Sequence, residues 1–493
     1  MQIHHYIACD LGAESGRVML GSLEGGKLAI EEIHRFPNGP TRLCGSLRWN
    51  VLHIFDELKT GLKKIADRKV SAASLSVDSW GVDYVLFNSR QPMLSVPYQY
   101  RDSRTDAPYE AVQKSDLLPL IFEETGIQFM AINTLYHFIA EVKTNGDLLA
   151  LADQFLNIAD YMNFLFSGVQ RAEESLASTT QMYNPCKRAW SKKLIAQFGF
   201  PQRIFPKIVP SVTRLGPLLP DVADETGLAG VEVIATCSHD TGAAVAAVPV
   251  REGNDWAYLS SGTWSLIGVE LPQPLISEEI RAHNFTNEAG YGGTTRFLKN
   301  IVGLWILQEC RRFWLSCGKT LDYAEINRLA VEADPQRSLI NPNAMRFMKP
   351  DAMPEKITSY CRETGQPEPA TVGQFTRCIL ESLALLYGDT LDEIETLTGR
   401  TIRTLHIVGG GSKSRLLNQL AASATGRRVV AGPVEATAIG NLLLQSLALG
   451  HLDSLTSLRT TVRESFPVEE FAPLDADVWQ AARARFSKLN LLT

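Results

Sequence analysis

The sequence predicts an α/β fold built from two similar domains, and three observations carry that reading. A strand, a glycine-containing turn and a second strand occupy residues 5–22. The same pattern returns at residues 256–270, with Gly262 falling on Gly12. Between the two copies, Val231–Ala235 reads as a short buried strand. It runs through Thr236-Cys237-Ser238-His239-Asp240-Thr241 into the small, apolar helix start Gly242–Val248.

Composition agrees with a large globular enzyme. The chain has 493 residues, enough for about two or three domains. Hydrophobic residues make up 45% and charged residues 21%, an ordinary balance for proteins with real cores. A net charge of -6 argues against a nucleic-acid groove or an anionic membrane surface as the main partner. Met1–His5 enters a strand without the basic and apolar regions of a secretory signal, and Gly242–Val250 is too short to span a bilayer. A cytoplasmic enzyme is therefore expected, acting on small molecules as a monomer or small homo-oligomer. The eight cysteines form no C-x-x-C pair and no zinc-ligand spacing. Cys361 and Cys378 flank a Gly/Pro-rich loop and can approach each other, and in a reducing compartment a free pair is expected.

In order, the first domain reads β-β-β-α-β, which differs from the strict alternation of a Rossmann unit. A third strand is expected near Ala29–Phe36, and helical spacing places Phe55, Leu58, Leu62 and Ile65 on one face of a helix from Leu52 to Arg68. Ala73–Asp78 is a buried strand running into Ser79-Trp80-Gly81-Val82-Asp83 and a further strand, Tyr84–Phe87. Residues 105–230 are helix-rich, with apolar stripes over Asp106–Leu120, Asn133–Lys143 and Ala159–Ser167. Pro249–Asp255 is a polar candidate linker. Later, Leu405–Val408 leads into Gly409-Gly410-Gly411 and a helix from Arg415 to Thr425, and Ala476–Leu489 reads as a terminal amphipathic helix. The division this suggests is a first domain over 1–248, a second over 256–450 and a helical tail over 451–493.

Several stretches carry chemistry. At the first hairpin, Asp10-Leu11-Gly12-Ala13-Glu14-Ser15-Gly16-Arg17, glycine permits close approach and φ values other residues avoid, and successive N–H groups can cradle phosphate oxygens. Asp10 at the strand end suits a hydrated Mg²⁺. Gly262-Thr263 offers a second such hairpin and Gly409–Gly411 a third close approach, so a nucleoside triphosphate clamped between two domains is expected. No G-x-x-x-x-G-K-[ST] or G-x-G-x-x-G string occurs, which disfavours P-loop and dinucleotide enzymes. Trp80 with Asp83, and Tyr100-Arg101-Asp102-Ser103-Arg104, combine an aromatic face with donors and acceptors suited to a sugar; core packing and a solvated salt-bridge loop are the plain alternatives. Lys299, Asn300 and Gln308, before and within a helix expected at Ile301–Cys310, can reach a cleft. Asp240, at a strand end and helix start, is either a helix cap or a carboxylate placed to take a proton from a hydroxyl.

Taken together, Asp10-Leu-Gly-Ala with Ser15-Gly-Arg, His239-Asp240, Ser261-Gly-Thr-Trp264 and Val408-Gly-Gly-Gly resemble the FGGY carbohydrate kinase family over about residues 7–450. The resemblance implies two ribonuclease-H-like domains of the actin-like ATPase fold with a central cleft. Asp78-Ser-Trp-Gly-Val-Asp83, Tyr100-Arg-Asp-Ser-Arg-Thr105, Ser238-His-Asp-Thr241 and Leu298-Lys-Asn-Ile-Val-Gly-Leu-Trp305 look like the members that phosphorylate L-rhamnulose at O1 with MgATP. By that resemblance Asp240 is the proton acceptor, and Gly81, His239, Asp240, Thr241 and Asn300 hold the sugar. Ala13, Glu14, Ser15, Gly16, Arg17, Thr263, Gln308 and Gly410 contact ATP, and Asp10 organises Mg²⁺. Two departures stand out. Glu14 adds a negative charge where small polar residues are common, and Ala421 and Thr425 replace a cysteine pair of some relatives. Cys361 and Cys378 match a second pairing. The rival within the family is another sugar (L-fuculose, L-ribulose or D-xylulose). The rival from another class is an actin-like ATPase without sugar kinase activity.

Overall fold

The structure, a computed structural model, describes residues 2–251 and 253–490; Glu252 of the candidate linker and the last three residues of the tail lie outside them. The chain forms two compact units. The first takes residues up to Ala247, Glu270–Leu298 and Ala436–Ser465, and the second takes Val248–Val269, Lys299–Glu435 and the segment from Phe466.

The first unit is organised on a six-stranded sheet in the order Thr213–Pro217, Glu232–Ala235, Ala72–Ser79, His4–Leu11, Ser15–Glu24, Lys27–Pro37. The three inner strands Glu232–Ala235, Ala72–Ser79 and His4–Leu11 run parallel, and the hairpin strands and Thr213–Pro217 run antiparallel to their neighbours. The parallel strands are buried along nearly their whole length, small polar residues such as Ser74 and Ser76 included. Alternation along Ser15–Glu24 sends Val18 and Gly21 to opposite faces. On one face, Gly61 of the helix Val51–Asp67 lies so close to Val18 that a Cβ there would stand 2.4 Å from its side chain. On the other, Gly21 makes room for Leu442 of the helix Ala436–Ala448. That second helix also meets the sheet through polar groups. Gln445 Nε2 donates to Ile7 O at 2.9 Å, Ser74 Oγ donates to Gln445 Oε1 at 2.6 Å, and Asn441 Nδ2 donates to Asp78 Oδ2 at 2.6 Å.

The second unit repeats the scheme. Its strands run in the order Thr295–Val302 (from Lys299 onward), Trp264–Leu271, Trp256–Ser261, Thr404–Val408, Arg428–Ala431, Glu469–Phe471. An antiparallel hairpin is again followed by two parallel strands and an antiparallel edge. The duplication expected from the two glycine hairpins is thus visible in strand order and direction.

Several local expectations need correction. The stripe Asp106–Leu120 is two helices, Asp106–Gln113 and Leu118–Thr125; Pro119 lacks an N–H and fits only the first turn of a new helix. The helix beginning at Thr134 runs on to Leu151, with non-helical backbone at Asn145. Tyr84–Phe87 leaves the main sheet and pairs with Gln154–Asn157. A small ribbon, Pro40–Leu43 with Ser46–Trp49, precedes the first helix. Lys299 and Asn300 lie in the strand Thr295–Val302, and the helix starts only at Trp305, after the break at Gly303. Cys361 and Cys378 come from two helices, Met353–Glu363 and Val372–Thr398; both are buried and all eight cysteines are free.

Candidate active site

In the first unit the parallel strands all end at one sheet edge, where open α/β sheets collect ligands. The end of Ala72–Ser79 meets the loop before Asp240 directly, as Ser79 N donates to Ser238 O at 2.9 Å and Ser79 bridges to His239. This contact brings Gly81, His239, Asp240 and Thr241 to the same edge as Asp10.

The hairpin tip is held by groups the sequence reading missed. Gly12 N donates to Ser15 O at 2.9 Å, and Asn38 donates from Nδ2 to Gly12 O at 2.8 Å and from its backbone N to Glu14 O at 3.0 Å. Neither Gly12 nor Gly16 adopts positive φ, contrary to one of the two reasons expected for them. Space is the reason: a Cβ on Gly16 would enter the ring of Phe36 at 2.2 Å. Glu14 is exposed, and Arg17 closes an ion pair with Asp10 across the hairpin.

Asp240 opens the helix Asp240–Ala246, and His239 occupies the cap position. Its Oδ1 accepts from Thr241 N at 2.5 Å and Thr241 Oγ1 at 3.1 Å, and His239 Nε2 lies 3.4 Å away. The carboxylate therefore caps no N–H deeper in the helix, and 32% of its side chain remains accessible. Burial of its surroundings raises its pKa above the usual carboxylate value; His239 and the Thr241 bonds oppose this, and Asp10 adds to it.

Two further residues set the main chain here, and no motif flagged them. Glu173, fully buried, accepts through Oε2 from Ser238 N at 3.0 Å and from Ser175 N at 3.0 Å. Ser175 Oγ in turn accepts from His239 N at 3.0 Å. A buried carboxylate spent on backbone N–H groups fixes the loop that presents His239 and Asp240.

Around Gly81 the backbone is constrained. A Cβ there would stand 2.8 Å from Thr179 Oγ1, and the next residue, Val82, is held at φ 69°. A β-branched residue in that region costs on the order of 1–3 kcal/mol and persists only when its surroundings hold it. Here Val82 N donates to Thr179 Oγ1 at 3.2 Å and Val82 O accepts from Thr134 Oγ1 at 2.6 Å.

Trp80 is not an open aromatic platform. It is buried, 4.3 Å from Trp49 between ring centroids, and its Nε1 donates to Asp83 Oδ2 at 2.9 Å. The same oxygen accepts from Trp49 Nε1 at 2.5 Å and Tyr100 N at 3.2 Å. Burial pushes the Asp83 carboxyl up to about 7, against the pull of the two indole N–H groups. Arg104 is equally internal: it pairs with Glu141 at 2.5 Å and stacks over Tyr98 at 3.4 Å, so the solvated-loop alternative fails for it.

The remaining candidates belong to the second unit, where three turns converge. Leu304 N donates to Gly262 O at 2.9 Å and Trp305 N to Thr263 O at 3.2 Å, so the helix Trp305–Ser316 starts on the second glycine hairpin. Gln308 lies one turn into that helix, with its Oε1 buried and lacking a hydrogen-bond partner among the described residues. Gly409 and Gly411 pack on Ser261, where a Cβ on Gly411 would reach Ser261 Oγ at 2.0 Å; Gly410 between them faces open space. Asn300 sits two residues before the end of its strand.

The family models for the FGGY family of carbohydrate kinases match the chain twice, the N-terminal domain over residues 5–247 and the C-terminal domain over residues 257–449. The chain belongs to the FGGY family of carbohydrate kinases. Among curated relatives of this FGGY kinase, the rhamnulokinase of Bacteroides thetaiotaomicron is 42% identical over 482 residues, 98% of each chain. That of Enterococcus faecalis is 40% identical over 491 residues, 99% of this chain and 98% of its own. Among solved structures, the ligand-bound xylulose kinase of Lactobacillus acidophilus superposes with a TM-score of 0.82 at 14% identity, over 99% of this chain and 98% of that one. Plasmodium falciparum glycerol kinase with ADP gives 0.80 at 14% identity, over 100% and 98%. At that identity the structural likeness speaks for the fold. No helix among the described residues is long and apolar enough to cross a membrane.

Proposed function

We propose that this FGGY kinase transfers the γ-phosphoryl group of MgATP to the 1-hydroxyl of L-rhamnulose, giving L-rhamnulose 1-phosphate and ADP, in a reducing cytoplasm. The observation that carries the reading is full-length identity of 42% and 40% to proteins named rhamnulokinase. The geometry at Asp240 agrees with it. An accessible carboxylate at the sheet edge, beside an imidazole and a helix N-terminus, is what an alcohol acceptor needs.

Phosphoryl transfer asks the protein for alignment and charge neutralisation more than covalent help. Asp240 orients the sugar hydroxyl and takes its proton as the oxygen–phosphorus bond forms and the bond to ADP breaks. Gly81, His239, Thr241 and Asn300 are assigned to the sugar. Ala13–Arg17 are assigned to the phosphates, and Thr263, Gln308 and Gly410 to the nucleotide.

Mg²⁺ fits the residues present. Asp10 and Asp78 are oxygen donors side by side, and Asp78 Oδ1 is buried without a hydrogen-bond partner among the described residues. Mg²⁺ usually keeps several waters and is held by one or two carboxylates plus phosphates. Asp10 would hold it through water. Bound there, the ion supplies charge neutralisation at the β- and γ-phosphates.

The test is ADP release with MgATP alone and then with L-rhamnulose, L-fuculose, L-ribulose, D-xylulose or glycerol. Strong stimulation by L-rhamnulose is expected. Stimulation by another sugar overturns the substrate, and sugar-independent hydrolysis overturns the kinase reading in favour of an actin-like ATPase.

A further inference from the structure

We propose that Arg296 is a positioning residue for the phosphoryl-transfer base, fixing the His239 imidazole with its N–H on Nε2, toward Asp240. This rests on the reading of Asp240 given above.

Arg296 has no exposed surface, although charged side chains are rarely buried so completely. Its three nitrogens face groups of the first unit, two by hydrogen bonds and Nη1 at ion-pair distance only. Nε donates to Ala289 O at 3.1 Å across the hairpin Thr286–Leu298, Nη1 lies 3.1 Å from Glu288 Oε2, and Nη2 lies 3.1 Å from His239 Nδ1. A guanidinium is all donors and does not deprotonate in proteins. The imidazole nitrogen facing it must therefore present its lone pair, since a protonated Nδ1 would set two donors head to head at 3.1 Å. The ring N–H then belongs to Nε2, which lies 3.4 Å from Asp240 Oδ1.

Glu288 Oε2, an acceptor that would favour the other tautomer, lies 3.3 Å from His239 Nδ1 but is not aligned as a hydrogen bond to it, whereas Arg296 Nη2 is; the Glu288 charge instead offsets the cost of burying the guanidinium. The charged and titratable groups facing the ring are thus Asp240 from its own segment, and Arg296 and Glu288 from the hairpin. Without the guanidinium, the ring can take the other tautomer and turn a lone pair toward the Asp240 carboxylate. The proton acceptor then loses the donor that orients it. A histidine held in the wrong tautomer is a known way to lose catalysis while keeping the fold.

The experiment is NMR of the full chain carrying ¹³C/¹⁵N-labelled histidine. His239 is assigned among the nine histidines by difference with His239→Gln, and each variant is also assayed for kinetics. In the wild type we expect the Nε2–H signature at His239. In Arg296→Met we expect its loss, with kcat lowered about 10–100-fold and KM for ATP within about twofold. Arg296→Lys is expected to regain part of both. An Nδ1–H signature in the wild type overturns the proposal, as does Arg296→Met with unchanged tautomer and turnover. Should Arg296→Met fail to fold, Arg296→Lys and Glu288→Gln decide: tautomer and turnover must shift together in at least one, and unchanged values in both overturn it. Failure of the Asp240 reading shows differently, as full turnover in Asp240→Asn while His239 keeps its Nε2–H signature.

Discussion

Asp10 and Asp78 stand directly opposite each other in the parallel pairing of the two central strands of the first sheet. Burial, then the charge of Asp10, raises the Asp78 pKa well above the usual carboxylate range. The Asp78 bond from Asn441 opposes that shift. A protonated Asp78 leaves Asp10 as the charged carboxylate at this strand end, the one assigned to a hydrated Mg²⁺. Asp10→Asn should therefore raise the Mg²⁺ concentration for half-maximal rate by about tenfold at fixed ATP. Chelation of the metal should abolish turnover. An unchanged Mg²⁺ dependence in the variant contradicts the assignment of Asp10.

Asp83 makes the fold sensitive to pH. Its native pKa is about 7, above the unfolded value of about 3.9. A carboxyl group with a raised native pKa holds its proton more tightly when folded. The stability it contributes is present below about pH 4 and is lost as pH rises through about 7. Asp83→Asn keeps an oxygen acceptor for Trp49, Trp80 and Tyr100 and removes the buried charge. The variant should match the wild type near pH 5 and exceed it at pH 8 in denaturant midpoint. A variant less stable at both pH values contradicts this account.

Glycine positions separate packing from ligand space. A Cβ on Gly440 would stand 1.9 Å from Ala243 O, in the helix that begins at Asp240. Gly440→Ala should cost about 1–3 kcal/mol of stability and reduce turnover, because it pushes on that helix. A Cβ on Gly410 meets nothing within 4 Å. Gly410→Ala should leave stability within about 0.5 kcal/mol while raising KM for ATP. Thermal unfolding and steady-state kinetics on both variants check the contrast.

Trp80 tests whether an aromatic face or a hydrogen bond is at stake. Trp80→Phe keeps the ring against Trp49 and deletes the bond to Asp83. The loss should appear as roughly 1.5–3 kcal/mol of stability, with KM for sugar changed little. A large rise in sugar KM at unchanged stability would restore the platform role expected from sequence.

The inner strands were legible as short buried apolar stretches bounded by turns, as in residues 7–9 and 405–408, whereas Thr213–Pro217, Thr295–Val302, Arg428–Ala431 and Glu469–Phe471 were not legible as strands. The glycine hairpins announced the duplication by pattern: strand, turn and strand recur with Gly262 falling on Gly12. What stayed hidden depends on contacts distant in sequence. Nothing near Glu173 signals that its carboxylate will fix Ser238, 65 residues on. Arg296 reads as an ordinary strand residue until folding sets it against His239, 57 residues away. Trp80 stayed open between a sugar face and a core position, because an indole beside Asp and Arg reads the same whether it lines a pocket or seals a core; the structure seals it in the core. The start of the helix at Trp305 was misplaced because Ile301 and Val302 suit either element, and only the break at Gly303 separates them.

The central claim is that Asp240 accepts the proton of the sugar hydroxyl. Single-turnover phosphate transfer from MgATP to L-rhamnulose, compared between the wild type and Asp240→Asn, tests it most directly, with ATP affinity measured on the same samples. A rate lowered by about 10²–10⁴-fold at nearly unchanged ATP affinity is expected. Transfer by Asp240→Asn at close to the wild-type rate would contradict it.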